Sequence, residues 1–190
     1  MRRRGGFGML GRWLRRPGFP GGPIRPVARP ILRRLRRAHR LIAEGVYAEG
    51  AAELETIADI ATTRNTPRAA LLTVEAGLAW IMAGEWKRGL DLAHRGLSSA
   101  RQAGDEARLA ILRDRVVDTL RKAGHSAEAD ATLRMFATQS EAPVGVRPRT
   151  DLPTQCPQCG GSVRPDQVEW IDEATAACDY CGSVLKAGTI

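Results

Sequence analysis

All four cysteines of this chain fall in two matched pairs. Cys156-Pro157-Gln158-Cys159-Gly160 is followed by Cys178-Asp179-Tyr180-Cys181-Gly182, with 18 residues between Cys159 and Cys178. A C-x2-C pair curls until both sulfurs face one point, and two such pairs supply the corners of a tetrahedron around one divalent ion, with thiolates at about 2.3 Å. The glycine after each pair permits a left-handed turn. Between the pairs, Gln167 to Ile171 reads as a strand and Ala174 to Ala177 as its return, while Ser183 to Leu185 makes a third. About 35 residues bury too little surface to stay folded unaided, so a metal is expected to hold this module together. Four thiolates leave no position for a water, which makes the expected site structural and not catalytic.

Over residues 154–186 this pattern resembles the zinc ribbon family. The resemblance implies one structural Zn2+ on Cys156, Cys159, Cys178 and Cys181. Iron in a rubredoxin-like site uses similar knuckles and stays open as an alternative. Disulfides would need an oxidising compartment. Thioredoxin-type exchange expects one C-x2-C in a βαβ unit, not two matched pairs.

Upstream the pattern changes to helical periodicity. Pro30 suits the start of a helix, where no amide donor is needed. Ile31, Leu35, Ala38 and Ile42 share one face, and Gly45 can end that helix. A second helix carries Ala51, Leu54, Ile57, Ala58 and Ala61. Thr66-Pro67 is expected to cap and start a third, with Leu71, Val74, Leu78 and Ile81, stopping near Gly84. A fourth holds Leu90, Ala93, Leu97 and Ala100 and ends at Gly104. Asp105 caps a fifth, with Leu109, Leu112, Val116 and Leu120, closing at Gly124; Ser126 with Glu128 opens a sixth, with Ala129, Leu133 and Phe136.

These helices read as three copies of one pair. Gly45, Gly84 and Gly124 lie 39 and 40 residues apart, and a small residue (Gly50, Gly89, Ala129) follows each by five. Tyr47 and Trp86 occupy the same slot. Helix, glycine turn, wedged ring and small residue at a close approach describe a unit that buries its core only by stacking on its neighbours. Residues 31–140 thereby resemble the tetratricopeptide repeat, although the period exceeds 34 and Ser126 stands where a ring is expected. The resemblance implies a concave groove that binds a peptide or another protein without chemistry of its own. The expected fold is mostly α: three stacked antiparallel helix pairs forming a tetratricopeptide-like solenoid, plus a small C-terminal β zinc ribbon. The expected domains are a flexible Gly/Pro/Arg-rich arm (1–29), helical repeats (30–140), a proline-containing linker (141–153) and the ribbon (154–190).

The formal net charge of +8 hides a segregation. Residues 1–40 carry 13 arginines and no acid, residues 41–150 are nearly balanced, and residues 151–190 hold six acids against two bases. The arm also interleaves Phe7, Met9, Leu10, Trp13, Leu14 and Phe19 with arginines. Arg33, Arg34, Arg36, Arg37 and Arg40 lie off the apolar stripe of the first helix, where cations near the N-terminus oppose the macrodipole. They are candidate contacts for an anionic partner. RNA or DNA, an anionic membrane surface, or the acidic ribbon itself would each fit, as would a merely solvated face. The ribbon's acidity and the negative charge of a metal held by four thiolates argue against nucleic acid at that end.

No apolar run reaches the roughly 18 residues of a membrane span. The N-terminal stretch has no apolar core or cleavage site of a signal peptide, so a cytoplasmic location is expected. His39 and His94 are expected on helix surfaces and His125 in a turn, too scattered for a catalytic group, and no nucleotide-binding or hydrolase motif is present. The sequence thus points to a non-enzymatic intracellular adaptor or scaffold with a protein partner and no small-molecule substrate. The alternatives are a nucleic-acid-binding protein led by the arm and first helix, and a peripheral membrane protein held by the basic-aromatic N-terminus.

Overall fold

A computed structural model of the chain describes residues 28–137, 152–165, 168–171 and 174–187. The arm as far as residue 27, nearly all of the linker, Gln167, and the acids Asp151, Asp166, Asp172 and Glu173 lie outside the described residues. Six helices come first: α1 (Arg29–Ala43), α2 (Tyr47–Thr63), α3 (Ala69–Met82), α4 (Trp86–Gln102), α5 (Glu106–Lys122) and α6 (Ser126–Met135). Three strands follow, β1 (Glu169–Trp170), β2 (Thr175–Ala177) and β3 (Val184–Lys186), in one antiparallel sheet of order β1-β2-β3. The molecule is mostly helical with a small C-terminal sheet, as the periodicity requires. None of the described helices is long and apolar enough to cross a membrane.

The helical ends explain the glycine spacing. Gly45 is left-handed (φ 79°); its amide donates to Ile42 O and the next amide, of Val46, to Leu41 O. This double closure satisfies carbonyls that a helix end leaves unpaired. The same pair of bonds recurs at Gly84, Gly104 and Gly124, and again after α2, where Asn65 (φ 47°) takes the left-handed position. Asn tolerates that conformation better than other side chains. Capping at the starts is less regular. Asp105 caps α5 by accepting from the Arg108 amide at 3.0 Å. Thr66 is not a cap, because Pro67 and Arg68 form a turn before α3; Ser126 opens α6 as its first residue, with His125 ahead of it.

Each helix packs on the next in sequence, and α3 also reaches α5. The predicted apolar faces are the buried ones, with Leu35, Leu54, Val74, Leu97, Leu109 and Val116 at or near zero exposure. The small residues mark the tightest crossings. A Cβ on Gly77 would lie 2.5 Å from the Gly89 carbonyl oxygen, and one on Gly89 would lie 2.5 Å from that of Gly77. So α3 and α4 touch backbone to backbone. The ring in the repeat slot, Trp86, lies against His125 of the next turn, with centroids 4.6 Å apart. Trp80 is held from two sides, donating to Glu55 Oε2 at 2.9 Å while the Arg88 guanidinium lies over its ring.

The C-terminal module, residues 152–187, does not stand apart. Its buried residues belong to the same apolar core as α1, α3 and α5. The cavity left where it meets the helices, lined by Leu71, Arg115, Val163, Cys178 and Tyr180 among others, measures about 10 Å³, room for about one water.

Two predictions test this packing. Gly89→Ala is expected to destabilise the fold by about 1–3 kcal/mol or more, because backbone and not a flexible side chain stands in the way. Gly45→Ala, with nothing within 4 Å of its Cβ, is expected to show only the left-handed cost of about 1–2 kcal/mol; denaturant unfolding compares the two. The second concerns His94, on α4 and half-buried rather than on an open surface. The Thr132 hydroxyl donates to Glu128 O, so it accepts from His94 Nε2 at 3.0 Å, which requires the proton there. Burial lowers the His94 pKa, against an upward pull from Asp91. A lowered folded pKa means that stability is full above the unfolded value of about 6.5 and is lost as pH falls through the folded one. His94→Gln is expected to flatten the loss of stability between pH 7 and pH 5, read from urea midpoints.

Candidate metal centre

The two cysteine pairs adopt one local design, displaced by 22 residues. The Cys156 amide donates to Gly161 O (2.8 Å) and the Gly160 amide to Cys156 O (2.8 Å). In the second pair the Cys178 amide donates to Ser183 O (2.9 Å) and the Gly182 amide to Cys178 O (2.7 Å). Gly160 and Gly182 are both left-handed, at φ 74° and 68°. Each pair is flanked by a short antiparallel bridge, Gln155 with Ser162 and Ala177 with Val184. A tight turn closed by glycine leaves both sulfurs of a pair on its inner side.

All four thiols are buried and free. Their sulfurs lie within 4.8 Å of one another. Cys156 Sγ is 3.8 Å from Cys181 Sγ, and Cys159 Sγ is 3.8 Å from Cys178 Sγ. A tetrahedron with metal–sulfur bonds of about 2.3 Å has edges of about 3.8 Å, so these sulfurs stand where one ion would need them. They are too far apart for a disulfide, whose bond is about 2.05 Å. Without a cation the thiols conflict. Sharing of protons lowers Cys156, chiefly through Cys159, to about 6, and lowers Cys181, chiefly through Cys156. It raises Cys159 and Cys178, each chiefly through Cys156. A divalent ion removes this conflict by favouring thiolate at every position. The four cysteines can therefore bind one metal ion.

The helical body completes the surroundings. His39 of α1 lies against the first knuckle, its Nδ1 2.8 Å from the carbonyl oxygen of Cys159. A carbonyl only accepts, so Nδ1 carries the proton. Burial lowers the His39 pKa, although the Cys159 bond pulls the other way. Arg36, one turn earlier, donates from Nε to Gln158 O and from Nη2 to Gln158 Oε1. The second knuckle contributes Tyr180, which points into the helices. Its ring meets His39 edge-on, centroids 4.8 Å apart, and it lines one small cavity with Ser162 and with Arg115 of α5. Arg115 also pairs with Glu75 of α3, both side chains largely buried. Burial raises the Tyr180 pKa, so the phenol stays neutral. Burial opposes the Arg115 charge, but Glu75 and Tyr180 reverse the balance upward.

The module's charge is met in the same place. Asp179 is pushed up to about 6, first by burial and against the pull of Arg108, Arg68 and Arg115. Arg68 is buried too, and its charge is favoured by Cys181, Cys178 and Asp179 against the cost of burial. Burying the Tyr180 ring contributes about 1.5–3 kcal/mol. The ring, the knuckle backbone and these charges all meet the helices at the docking contact.

The five arginines singled out on α1 are all exposed, and their neighbours differ. Arg34 and Arg37 approach Glu53, Arg36 holds Gln158, and among the described residues Arg33 and Arg40 have no acidic partner. Sequence reasoning placed His39 on an open helix surface; it is instead covered by the first knuckle. Glu75 and Arg115 were missed as well. The available signal was slight: His39 lies beside the apolar stripe of α1, with Leu32 seven residues before it on the same side.

No family model, curated protein or solved structure matches the chain.

The purified chain is expected to hold one divalent ion, measured by elemental analysis, and Cys178→Ser is expected to lose it. Loaded with Co2+, the protein should show the intense visible absorption of tetrahedral thiolate coordination; a weak, octahedral-type spectrum would count against a four-sulfur site.

Proposed function

We propose that the chain is a non-enzymatic adaptor, in which tetratricopeptide-like helical pairs carry a zinc ribbon and bind a protein partner. The observation that carries this reading is the recurrence of one unit. The left-handed closure follows each of α1 to α5, and after α1, α3 and α5 a small residue sits at a buried position five residues on, at Gly50, Gly89 and Ala129. Such units exist to present surface, since each must stack on the next to be stable. Zinc is the ion assigned: a closed set of four thiolates suits a cation that prefers tetrahedral sulfur and needs no open position. The ion is structural in this reading, and Cys156, Cys159, Cys178 and Cys181 are its ligands.

The inner face of α1, α3 and α5 is taken by the chain's own module, so a partner of the closed form meets other surfaces. One such surface is the outer side of α1, where Arg29, Arg33, Arg37 and Arg40 are exposed. That row supports a second reading, in which the anionic partner is a nucleic acid engaged by α1 and the arm. A membrane partner rests on the arm's residues alone, outside the described region.

A pulldown with the full chain is expected to recover a protein partner that survives moderate salt. If the nucleic-acid reading holds instead, affinity for single-stranded RNA or DNA falls steeply as salt rises, and charge removal at Arg33 and Arg40 lowers both affinity and salt slope. Flotation with anionic vesicles separates the membrane reading from both.

A further inference from the structure

Both knuckles touch the helical body through residues inside the metal-binding loops. His39 donates to the carbonyl of Cys159, itself one of the four thiol residues. Arg36 grips Gln158, between Cys156 and Cys159. Tyr180, between Cys178 and Cys181, is 5% exposed and reaches Arg115 and Ser162 beneath it. These groups stand in register only while each loop keeps its curl, and a bound ion is what would fix both curls at once. Gly161 fits the same contact, because a Cβ there would lie 2.6 Å from the Tyr180 ring and 2.9 Å from His39 Cε1. Helix, ring and knuckle backbone therefore meet with no spare room.

We infer that metal binding and docking of the module on α1, α3 and α5 are one coupled equilibrium, with His39 as the positioning residue through which the helical body holds the first knuckle in its metal-binding shape. The inference rests on the reading of the four cysteines as a metal site. Coupling is reciprocal: whatever docking adds to metal affinity, metal adds to docking. The electrostatics act in the same direction. Arg68, Arg108 and Arg115 face the second knuckle, and a four-thiolate centre holding a divalent ion keeps a net charge of about −2 for them to meet. Loss of the ion lets the loops relax, the Tyr180 ring withdraws, and the face carrying Leu71, Glu75 and Arg115 opens. The module is thus a metal-locked cover over the inner face of the helices.

The full-length chain loaded with Zn2+ tests this in two arms. In the first, a chromogenic chelator competes for Zn2+ with wild type, His39→Ala and, as an exposed-surface control on α5, Asp118→Ala. His39→Ala is expected to weaken Zn2+ binding by about 10- to 100-fold, the range for residues that orient ligands from behind, with Asp118→Ala unchanged. In the second arm, amide hydrogen exchange of wild type is followed before and after Zn2+ removal. Exchange is expected to rise over residues 35–39, 71–75 and 112–116 while helical circular dichroism is retained. If His39→Ala does not fold, the second arm decides alone. A Zn2+ affinity of folded His39→Ala within twofold of wild type overturns the coupling, as does exchange in those segments that is indifferent to chelation. A chain that binds no Zn2+ at all overturns the metal reading and the inference together, whereas tight binding without coupling overturns the inference only.

Discussion

The contact on which this structure turns is the seating of two cysteine knuckles against three helices. Neither half is self-sufficient in the usual way. The module has two- and three-residue strands and little interior of its own, yet Leu152, Val163, Tyr180 and Leu185 are buried because they join the core of the helices. The helices in turn present Glu75 and Arg115 at a depth where a charge pair needs cover, and Tyr180 lies against Arg115 there. An ionic pair beside a ring that sits between two of the four cysteines makes the second knuckle the keystone between the two parts.

Elements whose cause is local could be read from the sequence. The glycine spacing marked the helix ends because the left-handed closure is a property of a few consecutive residues, and it placed the ends of α1, α3, α4 and α5. The same reasoning overlooked Asn65, which performs the same closure without being glycine. The cysteine spacing likewise marked which four side chains converge; β1 and β2 fall inside the stretches expected for them, and β3 overlaps its own but runs one residue past it, to Lys186. Thr66 misled because a capping residue is recognised by composition, whereas a cap is made by backbone geometry that the preceding turn decides.

What stayed illegible was non-local. His39 looks like a polar residue on a basic helix, and nothing within α1 says that a loop some 120 residues later covers it. Arg115 is one of several charges on α5, and Glu75 is the one acid on an otherwise apolar α3, yet neither helix alone says that the two pair with each other beside Tyr180. The charge blocks told a related half-truth. The acidic end does meet arginines, as the segregation suggested, but among the described residues those facing Asp179 are Arg68, Arg108 and Arg115 of the helical body. Net charge by segment reports an imbalance and cannot say which cations resolve it.

The crossing of α3 and α4 has a different kind of consequence. Gly77 and Gly89 each limit the other, and no residue smaller than glycine exists, so enlargement of either cannot be offset by shrinking its partner. At the first pair the nearest obstacle to a side chain on Gly50 is the Ile42 side chain at 2.7 Å, with the Ala38 carbonyl oxygen farther off at 3.2 Å; at the third pair the slot already holds Ala129. The central crossing is therefore the rigid datum of the stack, and sequence drift has room to act only on either side of it.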